Sequence, residues 1–512
     1  MENSSNFVVK KINVNKMPKV LKIIFWLLPL VLFLSFISHI LDNDFYFLYP
    51  TGEYIVNNGF PFKDFLSWHN NMDIIVQQWL STIVFYYAYH YLGIAGLAAL
   101  MCVCAITLYS LYYKLLYSVT DNYFISLVFS TVSLFIISVA YIITRPQIFT
   151  FNLIVLELVA LELFIKKNKI GYLFIIPIIS VLLVNFHSAM WMMIFVFMLP
   201  YFAQSLPVKF GKFKQKPCCS FFKLLLTAAV AFTVGLINPY GIKAMFYIFS
   251  SYGISSINDY INEMLPVTIA SYDGKFLFAL LLVTFYLFNK YKKGKFELRF
   301  VLLALGTFVL ALSSGKSLPY FYISFGLLCA SYFKDFSFEF KFDKPDKNEK
   351  VNWKKILALF AVLALVCAGA FAFSSDDNTN ESNSSNSIEA KQLSMENDLD
   401  VIIDYLNTHD TDGMVLFNSF NCGQYLEFNG IPAFIDGRAE LFFERNNHEA
   451  DYFEDLYGFE KGTIYYSDFI DKYDFTHLIV QQSKPIVYKA LLNDDCFEEI
   501  IRGDEYSLFI RK

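Results

Sequence analysis

Apolar residues along this chain come in long runs, each close to the roughly 20 residues a helix needs to cross a hydrocarbon layer. Such runs occupy 21–41, 94–117, 123–143, 147–165, 170–186, 189–206, 221–237, 275–290, 297–312, 318–333 and 354–373. The pattern predicts a polytopic α-helical membrane protein with about eleven spans. One more segment, "QQWLSTIVFYYAYHYLG" at 77–93, is short and carries His90. It is either a twelfth span or a helix lying flat in the interface.

Lysine placement favours the flat helix. Lysines cluster at 10–22, 166–169, 209–223, 290–299 and 334–355, and basic residues mark the cytoplasmic ends of spans. All of these clusters fall on one side only if 77–93 does not cross; its aromatics then sit among the headgroups. Residues 1–20 are thus expected to be cytoplasmic and followed by an uncleaved anchor. The transmembrane domain covers 21–373, with outer loops at 42–76, 144–147, 185–188, 238–274 and 313–317.

Beyond the last run the pattern changes. Residues 374–396, rich in Ser, Asn and acids, read as a flexible linker. Residues 397–512 mix short apolar stretches with polar ones, as a small extracytoplasmic α/β domain does. "DLDVIIDYLNTH" and "KPIVYKALLNDD" read as helices, "GMVLFNS" and "FTHLIVQQ" as strands, and "FEEIIRGDEYSLFIRK" as a closing hairpin. "PAFI" reads as a further strand ahead of an Asp436-Gly437-Arg438 turn.

Composition agrees with the pattern. The chain is 56% hydrophobic and 17% charged, with mean hydropathy +0.44, whereas soluble domains are about a quarter charged. The net charge of -5 adds little, because the charges are segregated. Eight cysteines form no metal ladder; Cys422 and Cys496 share the last domain and are a possible pair.

Nearly all polar residues that are costly or deliberate fall on the expected outer side. Asp42 and Asp44 follow the first span, where a carboxylate opposes the dipole at a helix C-terminus. Arg145 stands between two spans, either as a bidentate phosphate clamp or as an interfacial snorkel. His187, with Asn185 before it, ends a span. Glu263 and Asp259, one turn apart, lie in the longest outer loop and are candidates to line a cleft from its far side. Glu157 and Glu162 are inside a span, where ionisable residues are expensive; Glu162 has Lys166 at i+4 as a partner.

"DNDFYFLYPTGEYIVNNGFPFKDFLSW…QQWL" resembles the first extracytoplasmic loop of bacterial GT-C-type membrane glycosyltransferases, relatives of protein O-mannosyltransferases and aminoarabinose transferases. The resemblance continues through "TRPQIFTF", "VNFHSAMW", "INPYG" with "INEMLP", and "CGQYLEFNGIPAFIDGRAELF", covering nearly the whole chain in order. It implies sugar transfer from a polyprenyl-phosphate-linked donor, entering from the bilayer, to an extracytoplasmic acceptor; membrane lipids are partners and nucleic acid is not. It further implies that Asp44, with Asp42 beside it, works as base or metal ligand, so a divalent metal is possible. Arg145, Asn185, His187, Glu263, Asp259 and Arg438 are the expected substrate-binding residues. Two positions depart from the family pattern: Leu48 stands where His is common, and Gln77-Gln78 where His-Glu is usual. The competing reading is a lipid-linked-saccharide transporter or a non-catalytic assembly subunit. A transporter would need pseudo-symmetric repeats and polar residues on both sides of its path, and the chain displays neither.

Overall fold

The computed structural model describes residues 10–13, 19–35, 41–69, 71–210, 213–251, 254–336, 339–342, 385–409 and 412–512. The expected span at 354–373 lies outside them. Among the described helices, Trp79–Thr120, Gln147–Lys167, Ser188–Ser205 and Tyr272–Lys290 are long and apolar enough to cross a membrane. Shorter apolar helices, Lys22–Val31, Tyr123–Ser138, Ile170–Phe186, Phe221–Val234 and Leu298–Ser313, complete the bundle. The helix Leu318–Tyr332 is buried along its whole length, and the Tyr112 hydroxyl donates to its Ile323 carbonyl at 2.7 Å.

The segment 77–93 is helical and continues into the next run, but not in line with it. Gly93 adopts φ 58°, ψ -146° within Trp79–Thr120, a conformation that glycine reaches without strain. A Cβ on Gly96 would lie 2.0 Å from the Ala88 carbonyl oxygen. Residues eight apart in one straight helix stand about 12 Å apart along its axis, so the chain doubles back at Gly93. Tyr91 and Leu92 are exposed at this corner.

The expected first loop contains a helix, Phe45–Asn58, which starts directly after Asp44. Asp42 and Asp44 therefore sit at a helix N-terminus, where the dipole favours carboxylates. This helix packs closely on Trp79–Thr120, because a Cβ on Gly52 would lie 2.3 Å from the Thr82 carbonyl oxygen. Its Phe45 and Tyr46 meet Tyr425 and Phe428 of the C-terminal domain, with Tyr46 edge-on to Tyr425 at 4.9 Å.

The segments expected on one side of the membrane gather at one end of the bundle. Ser188 N–H donates to the Gln77 carbonyl at 2.8 Å, and its hydroxyl to the Ala244 carbonyl at 2.5 Å. At the other end, strand Lys10–Asn13 pairs antiparallel with Glu339–Phe342, joining two of the basic segments. Glu162 does not pair with Lys166. It faces into the bundle and holds Arg299 at 2.8 Å, while Lys166 reaches outward to Asp121 at 2.6 Å.

The C-terminal domain carries a four-stranded mixed sheet. Leu416–Asn418 runs parallel to His477–Gln481. His477–Gln481 pairs antiparallel with Tyr506–Arg511, which closes a hairpin with Phe497–Arg502. The helix Ser385–Thr408 begins inside the stretch expected to be a linker. "PAFI" is not a strand; it contributes a single parallel bridge from Ala433 to Ser67. Cys422 is buried and Cys496 exposed, and both are free thiols.

Candidate functional site

Four segments from the same end of the bundle close around Arg145. Its guanidinium donates to Asp42 through Nε and, at 3.2 Å, through Nη2. Nε is also 3.1 Å from Asp44 Oδ2, and Nη1 donates to both Glu263 carboxylate oxygens at 2.8 and 3.0 Å. Lys316 approaches Glu263 at 3.4 Å. Asp44, Arg145, Glu263, His187 and Lys316 line one cavity of about 1040 Å³.

Sequence explains each placement locally. Arg145 occupies a turn before Gln147–Lys167 that Pro146 starts. Lys316 lies in a short turn between Leu298–Ser313 and Leu318–Tyr332. His187 ends the helix Ile175–Phe186, and its Nδ1 is 2.8 Å from the Thr150 hydroxyl.

Burial pushes the Asp44 carboxyl up to about 6, with Arg145 pulling it down and Asp42 pushing it further up. Burial works the same way on Glu263, but Arg145 and Lys316 outweigh it and hold that carboxyl below its usual range. Burial alone would weaken the charge on Arg145; Asp44, Asp42 and Glu263 overcome it and fix the guanidinium as a cation. The charge on Asp44 therefore changes near neutral pH, while Arg145 and Glu263 stay ionised there.

The C-terminal domain reaches the same cavity through Gly437, Arg438 and Glu440. A Cβ on Gly437 would lie 3.5 Å from Asp44 Oδ1, so the Asp436-Gly437-Arg438 turn touches Asp44. Arg438 itself is tied down by three carboxylates, Asp64 at 2.6 Å, Asp436 at 2.5 Å and Glu427 at 3.4 Å. Burial favours a neutral Asp64, yet Arg438 and two bonds from Ser67 hold it ionised. Arg438 thus joins the first loop to the C-terminal domain and orients the turn.

Two expected residues lie elsewhere. Asn185 is consumed structurally: its amide donates to the Val181 and Ile237 carbonyls at 2.6 and 2.9 Å, and its oxygen accepts from Trp79 Nε1 at 2.7 Å. Asp259 is exposed on Ser255–Tyr260. That helix ends before an extended Ile261, and Glu263 belongs to a separate turn, Asn262–Met264. The two acids therefore do not share a face.

Sequence reasoning missed Lys316 and Glu440. For Lys316 a signal existed, a lone lysine in an expected outer loop. Glu440 offered none, since only folding brings it to the membrane domain.

The cluster of Asp42, Asp44 and Glu263 is where a divalent cation would be sought. Arg145 already occupies the point between these carboxylates. Among the described residues no three His, Cys, Asp or Glu are grouped to hold a metal ion. The arrangement does not fit a metal.

The same architecture occurs in the crystal structure of the Archaeoglobus fulgidus oligosaccharyltransferase tethered to an acceptor peptide. That likeness has a TM-score of 0.54 at 13% identity and covers 90% of this chain and 69% of that one. The chain has a GT-C-type fold. ArnT from Cupriavidus metallidurans, bound to undecaprenyl phosphate, aligns over 96% of this chain and 97% of its own, with 11% identity and a TM-score of 0.49. No family model and no curated protein matches the sequence. Within the GT-C frame, the chain departs from its expected residues mainly by fully engaging Arg145 and leaving Lys316 as the less committed cation.

Proposed function

We propose that the chain is a membrane glycosyltransferase that moves a sugar from a polyprenyl-phosphate-linked donor to an acceptor outside the membrane. The observation that carries this reading is the meeting of Asp44, Arg145, Glu263, His187 and Lys316 in one cavity at one end of an apolar bundle. The basic segments at the opposite end then face the cytoplasm.

In this reading Asp44 is the general base and Arg145 positions it. As the acceptor's hydroxyl or amine attacks the anomeric carbon, its proton passes to Asp44 and a new bond forms to that carbon. The bond from the anomeric carbon to the phosphate oxygen breaks, its electron pair staying on the lipid phosphate. Lys316 lies where it offsets the growing phosphate charge, a role in which preorganised cations are effective. A transporter or scaffold has no need of a base at Asp44.

The test is Asp44→Asn, which keeps size and polarity. Transfer from a polyprenyl-phosphate sugar that wild-type protein uses should fall about 10²–10⁴-fold, while binding of undecaprenyl phosphate to the purified protein persists. Full transfer by Asp44→Asn would overturn the assignment.

A further inference from the structure

A second cavity, of about 560 Å³, lies against the first. The two share Phe47, Gln77, Gln78, Arg438 and Glu440 as a common wall. Glu440 is fixed in that wall through one oxygen: Tyr247 donates its hydroxyl to Oε1 at 2.9 Å, and Gln77 Nε2 lies 3.5 Å away. The other oxygen has no bonded partner among the described residues. Gln78 Oε1, buried in the same wall, also has none. Two unpaired acceptors thus line the wall common to both cavities.

The far wall is different in character. Phe62 is 61% exposed, its ring meets Tyr240 edge-on at 5.5 Å, and it lines the cavity. Lys243 and Arg445 also line it. Arg445 is anchored by a bond from Nη2 to the Ser250 carbonyl. Among the described residues no carboxylate is within ion-pair distance of either cation. Asp73, the other acid of this cavity, is taken by Lys63 at 2.7 Å.

We infer that the second cavity is the acceptor site and that the acceptor is an acidic saccharide. Adjacent hydroxyls of a sugar ring supply the two donors that Glu440 and Gln78 leave unmet. The apolar C–H face of the ring covers Phe62, and a carboxylate or phosphate substituent meets Lys243 and the planar fork of Arg445. Glu440 is here a positioning residue: it holds a non-reacting hydroxyl so that its neighbour faces Asp44 across the shared wall. This inference rests on the transferase reading.

Full-length protein in nanodiscs, probed by saturation-transfer NMR, provides the test. The probes are a hyaluronan tetrasaccharide as acidic saccharide, chitotetraose as neutral one, and a tetraglutamate peptide. The hyaluronan fragment should bind, with its ring protons saturated, and the peptide should not displace it. Phe62→Ala, and Lys243→Ala with Arg445→Ala, should each weaken that binding about tenfold. The double variant should also erase the preference over chitotetraose. Neither change should alter undecaprenyl phosphate binding, which reports the first cavity separately. Binding of the peptide in place of either saccharide, or saccharide binding indifferent to these changes, would overturn the inference and leave the transferase reading standing. Failure of wild-type protein to bind undecaprenyl phosphate would instead remove the transferase reading itself.

Discussion

The pH dependence of transfer is the most direct probe of the Asp44 cluster. A general base acts in its ionised form, so the rate must rise as pH passes upward through its pKa and then level off. With its carboxyl at about 6, Asp44 is about nine-tenths ionised at pH 7 and about one-tenth at pH 5. An ordinary carboxyl, near 3.9, would leave the rate flat over that interval. Two variants should move the midpoint in opposite directions. Arg145→Gln removes a cation 3.1 Å from Asp44, a separation at which unit charges interact by roughly 5 kcal/mol at an effective dielectric of about 20. Partial exposure of Asp44, whose side chain is 31% accessible, screens much of that. The midpoint should still rise by about one pH unit, because about a quarter of that energy equals one unit. Asp42→Asn removes a neighbouring negative charge and should shift the midpoint to lower pH. The assay is the initial rate of lipid phosphate release between about pH 4 and pH 8, two units either side of the expected midpoint. General loss of activity cannot produce opposed shifts. A flat wild-type profile above pH 5, or two variants moving the same way, would refute the role given to Asp44.

Three further outcomes follow from the same geometry. Lys316→Ala should weaken undecaprenyl phosphate binding about tenfold, since charge-assisted bonds to phosphate are among the stronger polar contacts; unchanged affinity in a titration would place the phosphate elsewhere. Because Arg145 fills the space between Asp42, Asp44 and Glu263, transfer should persist in EDTA, and loss that magnesium or manganese restores would show that Arg145 yields its place. Arg299→Met leaves Glu162 buried without its cation, which typically costs about 3–5 kcal/mol; the purified variant should lose thermal stability while keeping the pH midpoint of the wild type.

Much of this protein was legible from spacing alone. Runs of apolar residues require helices that satisfy their own backbone in lipid, and lysine clusters fix which ends lie together, so the joining of Arg145, Glu263 and Asp44 at one end was foreseeable. The helix within 77–93 was also readable, its end marked by Gly93. The helix Phe45–Asn58 was not, because its aromatics match those of an interfacial loop and its start is set by packing on Tyr425 and Phe428. Local spacing failed at Asp259 and Glu263, where a single extended residue, Ile261, breaks the helical register that would have joined them. It failed again at Glu162, since a helix surface offers Lys166 while the bundle interior offers Arg299, and a carboxylate turned into the interior must find its cation there. The identity of the site's remaining members was decided by tertiary structure. Glu440 is nearly four hundred positions from Asp44 in the chain. Only the docking of the C-terminal domain, held by the Arg438 ion pairs, puts them across one wall. Sequence determined which residues were costly to place beside a membrane; the fold determined which of them the protein had already paired, and which it left free to meet a ligand.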